Sequence, residues 1–265
     1  MRRLRNSRAV DPDPASFEGA DRLELEGDWA DCGVDAIASL RPFGWIIPDP
    51  GVISVEEGDR GPEQPGFDEA RELARRGRRL DAIQRLRLLL AKLPNAIEPR
   101  LLLARLLDQS DEIEGSIEQL SIALEVGGRR SEVLVTRGAL YARTSRAGEA
   151  EGDFRQAIAQ DPSYCPAYRY LGTTLVRRGL LDEGIGVLRE AVSLAPQDPE
   201  AWLHYGEALA IQGGLEAALG ALERASALAP SDPRSYTVRG RVLDRLRRTE
   251  EALEMYRKAR EAQTA

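Results

Sequence analysis

The sequence predicts an all-α solenoid of six tandem helix–turn–helix repeats, preceded by a non-repeat N-terminal segment. The first observation is a proline that returns every 34 residues, with Gly128 at the one step where it is missing. The second is a pair of small-residue positions with the same period, and the third is a pair of large-residue positions that accompanies them. The periodic prolines are Pro94, Pro162, Pro196 and Pro230.

The repeat register follows when position 1 is set at Glu63. Small residues at positions 8 and 20 let two antiparallel helices approach closely, and large residues at positions 11 and 24 fill the space beside them. Position 8 is Ala70, Ala104, Gly138, Gly172, Gly206 and Gly240. Position 20 is Ala82, Ser116, Ala150, Gly184, Ala218 and Ala252. Position 11 is Leu73, Leu107, Tyr141, Leu175, Leu209 and Leu243, and position 24 is Leu86, Leu120, Phe154, Leu188, Leu222 and Tyr256.

Each repeat is predicted to hold a helix A and a helix B. In the fifth repeat, Trp202, Tyr205 and Leu209 have helical spacing, and leucines from 215 to 228 repeat the pattern in helix B. Glycine is expected to end helix A, as at Gly77 and Gly179. The periodic proline is expected to end helix B, because its ring cannot continue the hydrogen-bond ladder.

The fifth repeat resembles the tetratricopeptide repeat family through Trp202, Tyr205, Gly206, Leu209, Ala218, Leu222, Ala225 and Pro230. This resemblance covers residues 63–265 and implies a right-handed solenoid. The repeat boundaries are 63–96, 97–130, 131–164, 165–198, 199–232 and 233–265. Some repeats depart from the family pattern, with Gly66 and Arg100 at position 4 and with Glu69, Arg137 and Arg239 at position 7.

Charge and cysteine content exclude several classes of protein. The chain has 265 residues and a net charge of −7, which argues against general nucleic-acid binding. Two cysteines do not make a disulfide scaffold, and no apolar run reaches the ~20 residues of a membrane span. We therefore expect a cytoplasmic protein. The 35 arginines and 2 lysines favour a GC-rich, bacterial genome.

Catalytic chemistry is not apparent in the sequence. His204 is the only histidine, and Cys32 and Cys165 are far apart, so neither a zinc site nor a histidine-based triad can be assembled. The glycines follow the repeat period and form no phosphate-binding loop. We predict a protein that is not an enzyme and uses no cofactor or metal.

The first 62 residues do not repeat and hold 13 acidic and 7 basic side chains. Residues 1–20 are predicted to be disordered, and residues 21–62 to be a capping or docking segment with a linker. Three placements remain open for this segment: a cap on the first repeat, a filling of the groove, or a contact with another chain. The predicted docking residues are Trp29, Phe43, Trp45, Ile46 and Ile47.

The family resemblance implies that positions 2, 5, 9, 12 and 13 of helix A line a concave groove. These positions carry nine arginines and six carboxylates, which favours an acidic or C-terminal peptide as partner. The alternative is a solvated face with arginine–glutamate pairs. The family's dicarboxylate clamp for chaperone tails uses groove asparagines, which this chain lacks. The candidate groove residues are Arg71, Arg75, Arg105, Arg143, Arg169, Thr173, Arg177, Glu207, Arg241 and Arg245.

These observations predict a scaffold or adaptor that binds a peptide or protein partner in the groove. The alternative is a self-assembling structural protein. In that case the final helix B, with Ala252, Leu253, Tyr256 and Ala259, lacks a following repeat and is covered by the N-terminal segment of a neighbour.

Overall fold

The computed structural model describes residues 65–127 and 130–264, and these form twelve α-helices and no strand. The odd-numbered helices are the A helices: α1 Pro65–Arg75, α3 Ile97–Asp108, α5 Ser131–Arg143, α7 Cys165–Arg177, α9 Pro199–Gln212 and α11 Pro233–Arg245. The even-numbered helices are the B helices: α2 Arg79–Lys92, α4 Ile113–Gly127, α6 Ala147–Gln160, α8 Leu181–Leu194, α10 Leu215–Leu228 and α12 Thr249–Thr264. The predicted all-α solenoid is confirmed.

Helix ends follow the 34-residue register. Every B helix begins at position 17, and each A helix after α1 begins at position 1. Where the periodic proline is present, the B helix before it ends two residues earlier. In the two repeats without this proline the B helix runs further: α4 ends one position later, at Gly127, and α12 two positions later, at Thr264. Gly128 and residues 1–64 lie outside the described residues, and so do the predicted disordered region and the docking segment.

The turn between helices A and B has the same backbone geometry in all six repeats. Position 15 is left-handed in each, with φ between 58° and 100°. The N–H of position 16 then donates to the carbonyl of position 11 at 2.8–3.0 Å, which satisfies a carbonyl at the helix end. Glycine, which we expected there, occupies this position in three repeats, at Gly77, Gly179 and Gly213. The remaining three use Asp111, Ser145 and Arg247.

Helices A and B of one repeat approach closely where the small residues lie. A Cβ atom added to Gly138 would lie 2.6 Å from the Phe154 ring, so position 8 has no room for a side chain against that position-24 residue. Between α7 and α8 both positions are glycine, and a Cβ atom on Gly184 would lie 2.9 Å from the Gly172 carbonyl oxygen. The small-against-large pattern thus sets the distance between the helices.

Polar partners compensate for the departures from the family pattern. Arg100 is buried, and its guanidinium donates to the Gln119 side chain at 2.8 Å and to the Pro94 carbonyl. Arg137 of α5 binds both carboxylate oxygens of Asp153 on α6, at 2.7 and 2.8 Å. Charged residues are therefore tolerated between these helices because each has a partner there.

Candidate functional site

The A helices form a continuous surface along the solenoid. Neighbouring A helices contact each other, and an ion pair between Arg143 and Asp108 joins α5 to α3. We call the surface formed by positions 2, 5, 9, 12 and 13 the A-helix face. It contains every residue that we predicted to line a groove.

Apolar side chains of the A-helix face are packed between helices. Leu101, Val135 and Leu203 at position 5 are each 2% exposed. Ala139 and Val176 are also fully buried. These side chains are closed to a ligand, so the accessible part of the face consists mainly of charged residues at positions 2, 9 and 13.

The first four repeats carry the positive excess of this face. They contribute six of its nine arginines and three of its six carboxylates. The guanidinium groups of Arg75 and Arg105 make no hydrogen bond or ion pair with any other described residue. Arg71 lies over the Phe67 ring, 5.7 Å from its centroid.

Other predicted groove residues of these repeats have partners within the protein. Arg143 is paired with Asp108, and it keeps about a third of its side chain exposed. Arg177 is half-buried and also has an interaction within the protein. The Thr173 hydroxyl donates to the Arg169 carbonyl at 2.8 Å, so its proton is already used.

Arg169 is enclosed between α7 and α9. Its side chain is 12% exposed, and its guanidinium nitrogens lie 3.7 Å from the Asp198 carboxylate and 3.5 Å from that of Glu200. The guanidinium also lies over the Tyr170 ring, 5.1 Å from the centroid. Arg169 therefore joins two repeats, whereas the sequence had suggested a contact for a partner.

Glu200 is the centre of this group of charges. Arg234 of the next repeat pairs with it, and His204 Nε2 lies 3.6 Å from Glu200 Oε2. Burial alone would raise the pKa of Glu200, but the hydrogen bonds from His204 and Arg234 outweigh it and lower the pKa to about 2. Glu200 thus remains ionised over the physiological range.

His204 connects Glu200 to Glu207. Its Nδ1 lies 3.1 Å from Glu207 Oε2, and the ring is buried. Burial alone would lower the pKa of His204, but hydrogen bonds to the two carboxylates overcome this effect and raise it. Burial lowers the pKa of Arg241, and the Glu207 charge opposes that shift. The charge of Glu207 therefore acts on both His204 and Arg241.

We call these residues of the last three repeats the ion network. With His204 protonated, it holds four positive and four negative groups, so the buried charges balance. Nearby, Arg245 donates to the Ala210 carbonyl at 2.6 Å and adds another link between α11 and α9. The ion network comprises Arg169, Asp198, Glu200, His204, Glu207, Asp232, Arg234 and Arg241.

The ion network was not predicted from the sequence, because His204 was considered there only as a possible member of a zinc site or a catalytic triad. One signal was present, since Glu200 and Glu207 lie four residues before and three residues after His204. Side chains at these spacings share a helix face. The repeat register held a second signal, because Glu200 and Arg234 both occupy position 2.

Reactive chemistry does not emerge from the described residues. Cys165 is buried with its Sγ 3.4 Å from the Ala191 carbonyl, and burial raises the pKa of its thiol to about 11. Such a thiol is almost entirely protonated at neutral pH and is a poor nucleophile.

Within residues 65–127 and 130–264, no group of three or more potential metal ligands is found. None of the helices described above combines the length and apolarity needed to cross a bilayer.

Comparison with known proteins relates this chain to repeat proteins. The sequence profile of the tetratricopeptide repeat family matches residues 101–164, 170–233 and 212–265. Tetratricopeptide repeat protein 14 of Mus musculus is 39% identical over 64 residues, which span 24% of this chain and 8% of that protein. The match thus covers a small part of the mouse protein's length.

Solved structures share the fold at low sequence identity. A tetratricopeptide repeat protein from Parabacteroides merdae has a TM-score of 0.62 at 19% identity, covering 74% of this chain and 77% of its own. PilF of Pseudomonas aeruginosa has a TM-score of 0.61 at 18% identity, covering 72% and 87%. YrrB, described as a tetratricopeptide repeat protein with an unusual peptide-binding site, has a TM-score of 0.51 at 24% identity, covering 68% and 92%.

Proposed function

Because the chain belongs to the tetratricopeptide repeat family, whose fold serves as a protein-interaction scaffold, we propose that it is a non-enzymatic adaptor for an acidic peptide or protein segment. The partner lies on the A-helix face of the first four repeats. The adaptor works in a bacterial cytoplasm. The single observation that carries this proposal is the excess of arginines over carboxylates on that part of the face.

Arg75 and Arg105 support the proposal because their guanidinium groups have no partner among the described residues. A planar guanidinium matches a carboxylate with two parallel hydrogen bonds, which favours an acidic ligand over a neutral one. Arg143 pairs with Asp108, which lies three residues after Arg105 and therefore on the same side of α3. A ligand carboxylate that competes with Asp108 would contact both arginines.

The ion network supports the proposal in a different way. Arg169, Glu207 and Arg241 are used within it, so we assign them to holding the last three repeats in place. The arginines that we propose to contact the partner are therefore Arg71, Arg75, Arg105, Arg143 and Arg177. Arg245 is left out of them because it donates to the Ala210 carbonyl. Ion pairs thus join the last three repeats, while accessible arginines remain on the first four, and this arrangement suits a scaffold that presents one fixed surface.

The solved relative YrrB is described as having an unusual peptide-binding site. We adopt from it the partner class, a peptide, as part of the proposal. An extended or helical peptide on the A-helix face would meet charged side chains from several repeats at once.

A selection from a random peptide library tests the proposal even though the natural partner is unidentified. We expect acidic sequences to be enriched on the natural protein and lost on the variant Arg105→Glu, Arg143→Glu, Arg177→Glu. The matched control reverses three exposed charges on B helices, Arg189→Glu, Arg224→Glu and Arg260→Glu, and should keep the enrichment. Enrichment of neutral or basic sequences, or equal enrichment on both variants, would overturn the proposal.

Self-assembly remains a second candidate because of Leu253. This side chain lies on α12 at position 21 of the repeat and is 64% exposed. The equivalent Leu219 of α10 packs against the repeat that follows. Three other residues that we expected to be uncovered are used within the last repeat: Ala252 and Ala259 are buried, and Tyr256 packs over Gly240 and donates to Asp244.

Light scattering over a concentration series tests the self-assembly candidate. Association that Leu253→Glu abolishes would support it, and a monomer at every concentration would exclude it.

A further inference from the structure

The outer surface of α2 carries two strongly exposed leucines at repeat positions where most other B helices have polar or small residues. Leu80 and Leu88 are 76% and 61% exposed, and they lie about 80° apart around the helix and about 12 Å apart along it, within one broad outer face. The half-buried Ile122 on α4 occupies the same repeat position as Leu88, and we call Leu80, Leu88 and Ile122 the apolar patch. Large apolar side chains left this exposed indicate a candidate interaction site. Position 18, that of Leu80, is Glu114, Gly148, Asp182, Glu216 and Glu250 in the other repeats.

A cavity of about 260 Å³ lies between α2, α3 and α4, and two of its lining residues, Arg87 and Leu90, flank Leu88 in the sequence of α2. Its floor is apolar, formed by Leu90, Leu103 and Leu107. Gly115 lines the cavity without a side chain, and a Cβ atom added there would make an ordinary contact with Leu107 at 3.5 Å. Arg87, Glu118 and Gln119 complete the lining, and Arg87 forms an ion pair with Glu112 at 3.6 Å. Patch and cavity together form what we call the outer groove.

The end of the solenoid at α1 needs no apolar cover. Asp68, Glu69 and Glu72 of this helix are exposed, at positions 6, 7 and 10 of the repeat. A polar outer helix is the usual means by which a repeat array ends. The same positions in the second repeat are the buried residues Leu102, Leu103 and Leu106. An apolar N-terminal segment would therefore bury more apolar surface in the outer groove than at the open end of α1.

We propose that residues 21–55 of the same chain dock in the outer groove of the first two repeats. The segment brings Trp29, Phe43, Trp45, Ile46 and Ile47, and large apolar side chains of this kind match the leucines of the groove. Its charge also matches, because residues 21–55 hold seven acidic and two basic side chains. Residues 65–96 of the first repeat hold eight basic and four acidic ones.

Chain connectivity favours this placement over a second copy. The segment joins the solenoid at Pro65, and Gly66 lies against Leu89, one residue from the exposed Leu88. The linker of residues 56–64 reaches about 30 Å when extended, which exceeds the roughly 21 Å length of α2. A tethered segment has a high effective concentration at a surface within its reach. Docking there leaves the A-helix face free for a partner.

Photo-crosslinking in the full chain tests this inference. Benzoyl-phenylalanine replaces Leu88, and an equal mixture of ¹⁵N-labelled and unlabelled protein separates crosslinks within a chain from those between chains. We expect crosslinks from position 88 to peptides of residues 21–55, with both peptides from one isotope pool. The same reagent at Leu194, an exposed leucine on α8, is the matched control and should give none to that segment.

A second arm uses the variant Leu80→Glu with benzoyl-phenylalanine at position 88. Placing a charge in the apolar patch should lower the crosslink yield by roughly tenfold. Crosslinks of mixed isotope would overturn the inference in favour of a second copy. Absence of crosslinks to residues 21–55, or equal yields from positions 88 and 194, would overturn it entirely. Failure here leaves the proposed adaptor function standing, because that function is tested on the other face.

Discussion

Arg137 and Asp153 form a two-point ion pair between α5 and α6, with 2.8 Å from Nε to Oδ2 and 2.7 Å from Nη2 to Oδ1. The Arg137 side chain is 19% exposed and that of Asp153 is 7% exposed, so both charges have lost most of their water. Hydrogen bonding to Asp153 raises the pKa of Arg137 further above its ordinary value. The pair explains how a charged residue occupies position 7 of the third repeat.

Removing one partner of this pair should destabilise the protein strongly. Arg137→Leu leaves the Asp153 carboxylate buried without its partner, and we expect a loss of about 3 kcal/mol in the free energy of unfolding. The double variant Arg137→Leu, Asp153→Leu should recover most of that loss. The free energy of unfolding is measured by urea denaturation of the natural protein, both single variants and the double variant. Equal stabilities for Arg137→Leu and the natural protein would contradict this account.

The left-handed residue at position 15 predicts a stabilising substitution. Arg247 has a φ of 58°, which is unfavourable for a residue with a Cβ atom. We expect Arg247→Gly to raise the free energy of unfolding by about 0.5–1 kcal/mol, net of the greater flexibility of glycine in the unfolded chain. Gly179→Ala, the reverse change at the same repeat position, should lower it. Thermal melting of both variants measures these changes in stability, and a loss of stability in Arg247→Gly would refute the prediction.

Two glycines of the fourth repeat should respond oppositely to alanine. A Cβ atom on Gly172 would lie 2.6 Å from Leu188, so Gly172→Ala forces the helices apart and should cost about 1–3 kcal/mol. Gly186 has no atom within 4 Å of its added Cβ, and Gly186→Ala should stabilise α8 by up to about 1 kcal/mol. Circular dichroism melting curves compare the two. The spacing account fails if both substitutions stabilise the protein.

His204 should make stability depend on pH in the neutral range. The pKa of His204 is raised, so the protonated ring stabilises the folded state at pH values below about 6.5, the ordinary histidine pKa. This contribution is lost as the pH rises through the raised pKa, because the deprotonated ring no longer offsets the negative charges of Glu200 and Glu207. Since the chain has one histidine, His204→Gln should abolish most of the loss of stability that begins as the pH rises above about 6.5. Denaturation midpoints that fall equally in both proteins would contradict this assignment.

The 34-residue period was sufficient to predict the fold, because each repeat restates the same packing at positions 8, 11, 20 and 24. The turns were predicted in part: glycine marked three of them, whereas Asp111, Ser145 and Arg247 adopt the same backbone without that signal. Residues outside the described part of the chain, including the docking segment, stay predictions.

The A-helix face was harder to predict from the sequence, since register shows which residues share a surface but not which of them are paired. Arg169 belongs to this surface, yet its partners Asp198 and Glu200 come from further along the chain, 29 and 31 residues away. Whether such side chains meet depends on how each repeat is rotated against the next. That rotation results from the summed packing of all the helices and is not written in any one motif.

The most direct test of the account is the affinity of an acidic peptide, obtained by the library selection, for the A-helix face. Fluorescence anisotropy measures its Kd with the natural protein, with the variant Arg105→Glu, Arg143→Glu, Arg177→Glu, and with the control Arg189→Glu, Arg224→Glu, Arg260→Glu. We predict at least roughly tenfold weaker binding for the first variant, and an affinity for the control close to that of the natural protein, because charge-assisted hydrogen bonds are lost only in the first. Equal weakening by both variants would show that the peptide responds to overall charge alone, and unchanged binding in the first variant would show that it binds elsewhere; either result would contradict the account.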